Sequence, residues 1–292
     1  MNLFSGVITA LVTPFKGGRI DIKSFQRLMR FQLDHGIQGF VIAGTTGESP
    51  NLTGEERREL FDCAKSFVGG QVPVLVGTGS NSTAQTVLWT KEAEDWGADG
   101  ALIVTPYYNK PPQRGLIEHY KAVANATSLP ILLYNVPGRT GVEMSVETIE
   151  QLSQVKNIVG VKEATGNLSF LRELVARVHQ DFSLISGDDG TCVEFMRLGG
   201  VGVISVLSHL IPKALVALCS RARKGEDVNH EFLNYAHLIE LLFVEANPIP
   251  VKAALQMMGI IESDELRLPL VRMATPLRSQ LHFALQNMGA LS

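Results

Sequence analysis

Short apolar runs recur along this chain at intervals long enough to hold a helix, and each run ends in small or polar residues. They fall at 7–14, 39–44, 73–77, 100–105, 130–135, 158–162, 182–186 and 202–206. Several are nearly continuous in Val, Ile and Leu, which is the mark of parallel strands buried on both faces rather than of strands with one wet side. The segments between them carry helical periodicity. Residues 24–35 place Phe25, Leu28, Met29 and Gln32 on one face. Thr53-Gly-Glu-Glu56 is a capping-box pattern ahead of Leu60, Phe61 and Ala64. Residues 82–96 open on Ser and Thr and stop at Gly97, and helical stretches at 167–179 and 191–198 follow later runs in the same way.

Eight strands alternating with helices predict an α/β fold, a (β/α)8 TIM barrel. The competing architecture is a doubly wound open sheet. It lacks its signature here, because no strand–GxGxxG–helix unit followed by an acidic residue is present and Gly77-Thr-Gly79 is only a partial match. After about residue 210 strand-like runs cease and helical ones continue, at 213–224, 230–243, 250–258 and 275–288. The expected organisation is therefore a barrel core over 1–210, with 211–292 as a C-terminal helical extension packed on it. No Ser/Gly-rich linker separates the two.

Charge and cysteine content narrow the function. A net charge of −3 gives no electrostatic footprint for nucleic acid or an anionic membrane. The three cysteines, Cys63, Cys192 and Cys219, form no CxxC pair, which argues against a disulfide framework and for a reducing, cytoplasmic setting. All three fall in helical patterns and read as core residues. The seven histidines show neither HxH nor HExxH spacing, so no zinc site is expected. The apolar N-terminus has no basic segment ahead of it and reads as a first strand ending near Pro14, not as a signal peptide. No apolar run approaches the roughly 18–20 residues that a spanning helix needs.

In such a barrel the active site lies at the carboxyl ends of the strands. The residues that collect there are Gly44-Thr-Thr-Gly-Glu-Ser49, Thr105-Pro-Tyr-Tyr-Asn109, Tyr134-Asn-Val-Pro-Gly-Arg-Thr140, Lys162 and Ser186-Gly-Asp-Asp189. Strict alternation places Ile158, Gly160 and Lys162 on one face of their strand, with Val159 and Val161 on the other. A lysine buried among apolar neighbours has its pKa lowered and offers a neutral amine, able to attack a ketone. A lysine that snorkels to water, or pairs with Glu163, fits the same spacing. Thr45, Tyr134 and Tyr108 carry hydroxyls able to relay protons, and strand-end hydrogen bonding, packing or an interface explains each of them singly. Arg139 is a turn arginine, either solvated or a bidentate clamp on a carboxylate. Asp188 and Asp189, flanked by Gly187 and Gly190, read as a strand-to-helix turn with an N-cap.

Taken together, these motifs resemble the dihydrodipicolinate synthase family, as do Gly160-Val-Lys-Glu-Ala-Thr-Gly166, Gly202-Val-Ile-Ser205 and Asn247-Pro-Ile-Pro-Val-Lys252. The similarity runs in register essentially from end to end. It implies a homotetramer built as a dimer of dimers, with no metal or organic cofactor. The implied reaction condenses pyruvate with L-aspartate 4-semialdehyde to 4-hydroxy-tetrahydrodipicolinate, in the diaminopimelate route to lysine. Carried over by position, Lys162 is the Schiff-base lysine and Tyr134 the acid/base beside it. Thr45 links Tyr134 to Tyr108, which reaches in from a neighbouring subunit. Thr46, Gly187 and Ile204 line the pyruvate site, and Arg139 binds the semialdehyde carboxylate.

Lysine-inhibited members bind lysine near the exit of the second strand, where Ser49, Asn81 and Tyr107 match. Gly54 and Arg57 stand where those members carry His, and Gln85 replaces an acid. An arginine beside a lysine ammonium repels it, so weak or absent feedback is expected. Sibling pyruvate-dependent lyases acting on keto-sugar acids share the lysine and the tyrosine but typically lack an arginine at the position of Arg139. A non-catalytic barrel used as a scaffold is the remaining alternative, and it has no need of a buried amine.

Overall fold

A computed structural model describes residues 3–291. Eight parallel strands close into a barrel: β1 (Gly6–Ala10), β2 (Phe40–Ile42), β3 (Val74–Gly77), β4 (Gly100–Val104), β5 (Ile131–Asn135), β6 (Ile158–Glu163), β7 (Ser183–Ser186) and β8 (Gly202–Ser205). Each strand pairs with the next, and β1 closes the ring by pairing with both β2 and β8. The open-sheet alternative is thereby excluded, and each apolar run of the sequence supplies one strand.

Alternation decides which residue faces where. Val7, Phe40, Val74, Ile103, Leu133 and Val203 point outward into the large core between sheet and helices. Ile8, Val41, Leu75, Leu102, Leu132, Ile185 and Ile204 fill a second cluster inside the barrel. Packing with apolar side chains on both faces is what makes the strands read as continuous apolar runs. One strand breaks the alternation. The register of β5 against β6 runs Ile131↔Ile158 and then Leu132↔Gly160, so Val159 is an extra residue. This bulge turns Ile158 outward and packs Val159 against the inner cluster, correcting the expected grouping of Ile158 with Gly160 and Lys162. Lys162 remains inward. At Gly160 a Cβ would lie 2.4 Å from the Ser183 carbonyl oxygen, so only glycine permits this approach of β6 to β7.

The helices that follow the strands are α1 (Ile22–Asp34), α2 (Gly54–Val68), α3 (Thr83–Asp95), α4 (Gln113–Asn125), α5 (Val146–Ser153), α6 (Leu168–Arg177), α7 (Cys192–Arg197) and α8 (Pro212–Arg223). Their starts follow local chemistry. Thr53 and Glu56 form both halves of the capping box on α2, and Asn167 caps α6 through its side-chain oxygen. Helix α8 packs on α7 and β1. Three further helices, α9 (Ala236–Phe243), α10 (Ile249–Met257) and α11 (Thr275–Asn287), pack on one another. The single helical run expected over 230–243 is instead a short turn at Asn229–Phe232, a 3-10 turn at Leu233–Tyr235 and then α9.

A two-stranded hairpin, Phe15–Lys16 with Arg19–Ile20, follows β1. Its turn residues Gly17 and Gly18 both have positive φ. Cys192 and Cys219 lie in the core as expected, whereas Cys63 is half-buried; all three thiols are free. No helix among the described residues is long and apolar enough to cross a membrane.

Candidate active site

The carboxyl end of the barrel holds two adjoining cavities. The first, of about 160 Å³, is lined by seven residues singled out from sequence: Thr45, Thr46, Tyr134, Arg139, Lys162, Gly187 and Ile204. Lys162 rises from the end of β6 with 7% of its surface exposed, and among the described residues no ion pair reaches it. The alternative of a pair with Glu163 fails on alternation. Glu163 points outward, where it accepts hydrogen bonds from the Thr165 N–H and hydroxyl and from Asn135 Nδ2. Burial pushes the Glu163 carboxyl up to about 7, against those hydrogen bonds.

Tyr134 is the register partner of Lys162 on the neighbouring strand, and the Lys162 Nζ lies 4.3 Å from the centre of its ring. Gly187 has to be glycine, because a Cβ there would come within 2.9 Å of Lys162 Cε and 2.7 Å of Ala164 Cβ. Its bare backbone is the wall against which the lysine stem lies. Thr45 and Tyr134 share the cavity wall, although no hydrogen bond joins their hydroxyls directly. Arg139 sits on the single helical turn Pro137–Thr140, which Gly141 ends in a left-handed conformation; it lines the cavity and makes no ion pair among the described residues.

Tyr108 stands apart from the Lys162 cavity of its own chain. It lines neither cavity and is 88% exposed, with φ at +74°. For a non-glycine residue that conformation costs roughly 1–3 kcal/mol. The Tyr108 N–H reaches the Thr140 carbonyl, and Asn109 Nδ2 donates to the Asn81 carbonyl at 2.9 Å, which fastens this loop to the loop after β3. Ala43 and Glu48, at the exit of β2, are also left-handed. The strained backbone among non-glycine residues thus gathers at this end of the barrel.

The second cavity, of about 260 Å³, adjoins the first, with Thr45, Tyr134 and Arg139 common to both walls. Two of the three effector residues read from sequence, Ser49 and Tyr107, line it together with Arg57. Asn81 does not line it and acts through its backbone.

Three features of the site were not read from sequence. Asn247 is 7% exposed and lines the Lys162 cavity; its Nδ2 donates to Thr46 Oγ1 at 2.9 Å, and its Oδ1 has no hydrogen-bond partner among the described residues. Glu48 and Lys252 form an ion pair at 2.8 Å with both side chains fully buried, and Glu48 also accepts from the Arg267 N–H. Both contacts tie the turn bearing Thr45 and Thr46 to the C-terminal helices. Asp189 is not a helix cap: it accepts from Ser205 Oγ and from the N–H groups of Val206 and Leu207, fixing the exit of β8. Asp188 does hold the turn, accepting from the Thr191 N–H and hydroxyl. The Asn247 and Lys252 contacts left no local signal, since each spans about 200 residues. Among the described residues no three His, Cys, Asp or Glu side chains are placed to share a metal ion.

Fold and site together define a class: a (β/α)8-barrel enzyme that holds a buried, unpaired amine at the carboxyl ends of its strands. Comparison with known proteins gives the family. The model of the Dihydrodipicolinate synthetase family matches residues 3–288, and the chain belongs to that family. A 4-hydroxy-tetrahydrodipicolinate synthase of Bdellovibrio bacteriovorus is 50% identical over the full length of both chains. Among solved structures, the dihydrodipicolinate synthase of Thermotoga maritima is 44% identical with a TM-score of 0.97, covering 99% of this chain and 100% of that one. The chloride-inhibited enzyme of Acinetobacter baumannii, solved in complex with pyruvate, is 42% identical with a TM-score of 0.95, covering 98% of this chain and 99% of that one.

Proposed function

We propose that Lys162 forms a Schiff base with pyruvate and that the chain condenses it with L-aspartate 4-semialdehyde to give 4-hydroxy-tetrahydrodipicolinate. The observation that carries this reading is the buried, unpaired Lys162 amine held over the Tyr134 ring, in a cavity that Arg139 also lines. The enzyme is a lyase of the diaminopimelate and lysine route.

The steps follow from the residues at hand. The Lys162 amine, in its unprotonated form, adds to the pyruvate ketone, and the carbinolamine loses water to give an iminium ion. Tyr134 supplies and takes up the protons of these steps, with Thr45 beside it. The face of the Tyr134 ring favours positive charge at the nitrogen it covers, which is the charge the iminium carries. That cation draws electrons from the pyruvate methyl group, a proton leaves, and an enamine forms. The enamine carbon attacks the aldehyde while Arg139 holds the semialdehyde carboxylate by paired N–H donors. The tethered substrate amine then displaces Lys162 and closes the ring, helped by proximity. Thr46, Gly187 and Ile204 shape the pyruvate pocket.

The exposed, strained Tyr108 is suited to complete the site of a neighbouring subunit, and we read the assembly as a homotetramer, a dimer of dimers, in the cytoplasm. Neither nucleic acid nor membrane is a partner, and the reaction uses no metal or organic cofactor. The chain divides at residue 210 into barrel core and helical region; the first two residues and the last lie outside the described residues. Lysine feedback through Ser49, Asn81 and Tyr107 is weak or absent, given Gly54, Arg57 and Gln85, and submillimolar inhibition in a lysine titration would contradict this. The reaction itself is tested by supplying pyruvate with either L-aspartate 4-semialdehyde or an aldose partner of a sugar-acid lyase. Turnover of the semialdehyde alone is expected. Turnover only of the sugar substrate would move the chain to the sibling lyases, and no turnover at all would favour a scaffold.

A further inference from the structure

The turn after β2 is held from three sides. Thr13 Oγ1 donates to the Gly47 carbonyl at 2.8 Å, Lys252 pairs with Glu48, and Asn247 Nδ2 donates to Thr46 Oγ1 at 2.9 Å. Within the turn, the Gly47 N–H reaches the Gly44 carbonyl and the Glu48 N–H the Thr45 carbonyl. Thr46 is 3% exposed and lines the Lys162 cavity. Its backbone is fixed and its β-branched side chain is stiff at χ1, so the freedom left to it is rotation of the hydroxyl.

Asn247 takes up that freedom. A hydroxyl carries one proton and two lone pairs. The Asn247 N–H occupies a lone pair, and Thr46 Oγ1 makes no other hydrogen bond among the described residues. The hydroxyl proton is therefore left for an acceptor in the cavity. Lys162 and Arg139, both in the lining, give the cavity a preference for an anion, and a free hydroxyl proton adds to it. A group at 247 that only accepts would draw the Thr46 proton to itself and turn a lone pair toward that anion. Packing alone does not call for an amide here. The Asn247 Oδ1 is buried with no hydrogen-bond partner among the described residues, a cost that an apolar side chain of similar size avoids.

We propose that Asn247 is a positioning residue of the pyruvate site, acting through Thr46 by committing that hydroxyl to donate to the substrate carboxylate. The inference rests on the Schiff-base reading and deepens it. The linker between α9 and α10, which supplies no group to the covalent steps, sets the affinity for the first substrate.

The test is a kinetic cycle on the full-length enzyme, with both substrates varied, over wild type, Asn247→Leu, Thr46→Val and the double variant. Asn247→Leu is expected to raise the KM for pyruvate about tenfold, the effect of losing a hydrogen bond to a charged group. The fall in kcat should be less than about threefold and the KM for the semialdehyde should hold, a split that a general loosening of the fold does not give. In the Thr46→Val background the same substitution should move the KM for pyruvate less than about twofold, because the hydroxyl it orients is gone. Asn247→Asp, matched in size, serves if the leucine variant fails to fold. Its charge acts in both backgrounds, so the KM rise it causes should be at least about fivefold larger with Thr46 than with Val at that position. An unchanged KM for pyruvate in Asn247→Leu, effects that multiply in the double variant, an equal effect of Asn247→Asp in the two backgrounds, or a rise confined to the KM for the semialdehyde would each overturn the proposal. With wild type active, any of these leaves the lyase reading standing; wild type inactive on pyruvate removes both.

Discussion

Tyr134 and Lys162 are paired across β5 and β6, with the amine 4.3 Å from the centre of the ring. The pair separates two contributions of one side chain, because the ring acts on charge and the hydroxyl on protons. Tyr134→Phe keeps the first and deletes the second. We expect kcat to fall about 100-fold or more, the usual effect of losing a general acid/base, with pyruvate still bound. Steady-state kinetics with both substrates varied will check this; an unchanged kcat would assign the proton transfers elsewhere.

Arg139 makes no ion pair among the described residues, so its loss should leave the fold intact. Arg139→Leu is expected to lower kcat/KM for the semialdehyde about 10- to 100-fold, the range for hydrogen bonds to a charged group, with little effect on the KM for pyruvate. Equal losses for both substrates would place the arginine outside the carboxylate site.

Glu48 and Lys252 are a fully buried pair that fastens the Thr45–Thr46 turn to α10. Lys252→Met strands a carboxylate and is expected to cost about 3–5 kcal/mol of stability. Pairing it with Glu48→Gln should recover part of that loss, since the uncompensated charge is then gone. Urea denaturation of the two single variants and the double variant measures the coupling, and additive losses would contradict it.

Glu163 gives a pH signature. Its carboxyl titrates at about 7 when folded against an ordinary 4.5, so the folded state keeps a proton that the unfolded chain releases. The resulting stabilisation is complete below 4.5 and disappears as pH rises through about 7, with an upper size of about 3 kcal/mol. His119 and His209, held by burial down at about 4, work in the other direction, losing stability as pH falls below 6.5. The difference in unfolding free energy between wild type and Glu163→Gln isolates the carboxyl. We expect that difference to change across pH 4.5–7 and to be flat above; no change would show that Glu163 titrates normally.

The strands were legible because β2 through β8 bury both faces, and a run such as Val74, Leu75, Val76 admits no other partnering. Lys162 was legible as a lysine at the mouth of a barrel strand, and regular alternation sets Glu163 on the opposite face; the facing of Ile158 and Val159 was not legible, because it rests on the bulge at Val159. The left-handed turn of Tyr108 carries no glycine to announce it. Asn247 and Lys252 matter through residues some 200 positions away, and neither periodicity nor local motif reports a contact of that kind. Arg57 read as a repulsive group near a lysine site; its burial on Trp89 without a carboxylate emerged only with the packing of α2 on α3.

The central claim is that Lys162 is the covalent nucleophile. It is tested most directly by incubating the protein with pyruvate, reducing with borohydride and mapping the modified peptide by mass spectrometry. We expect one reduced pyruvate adduct, on Lys162, absent from Lys162→Ala. A folded protein with no adduct, or an adduct confined to another lysine, would contradict the account.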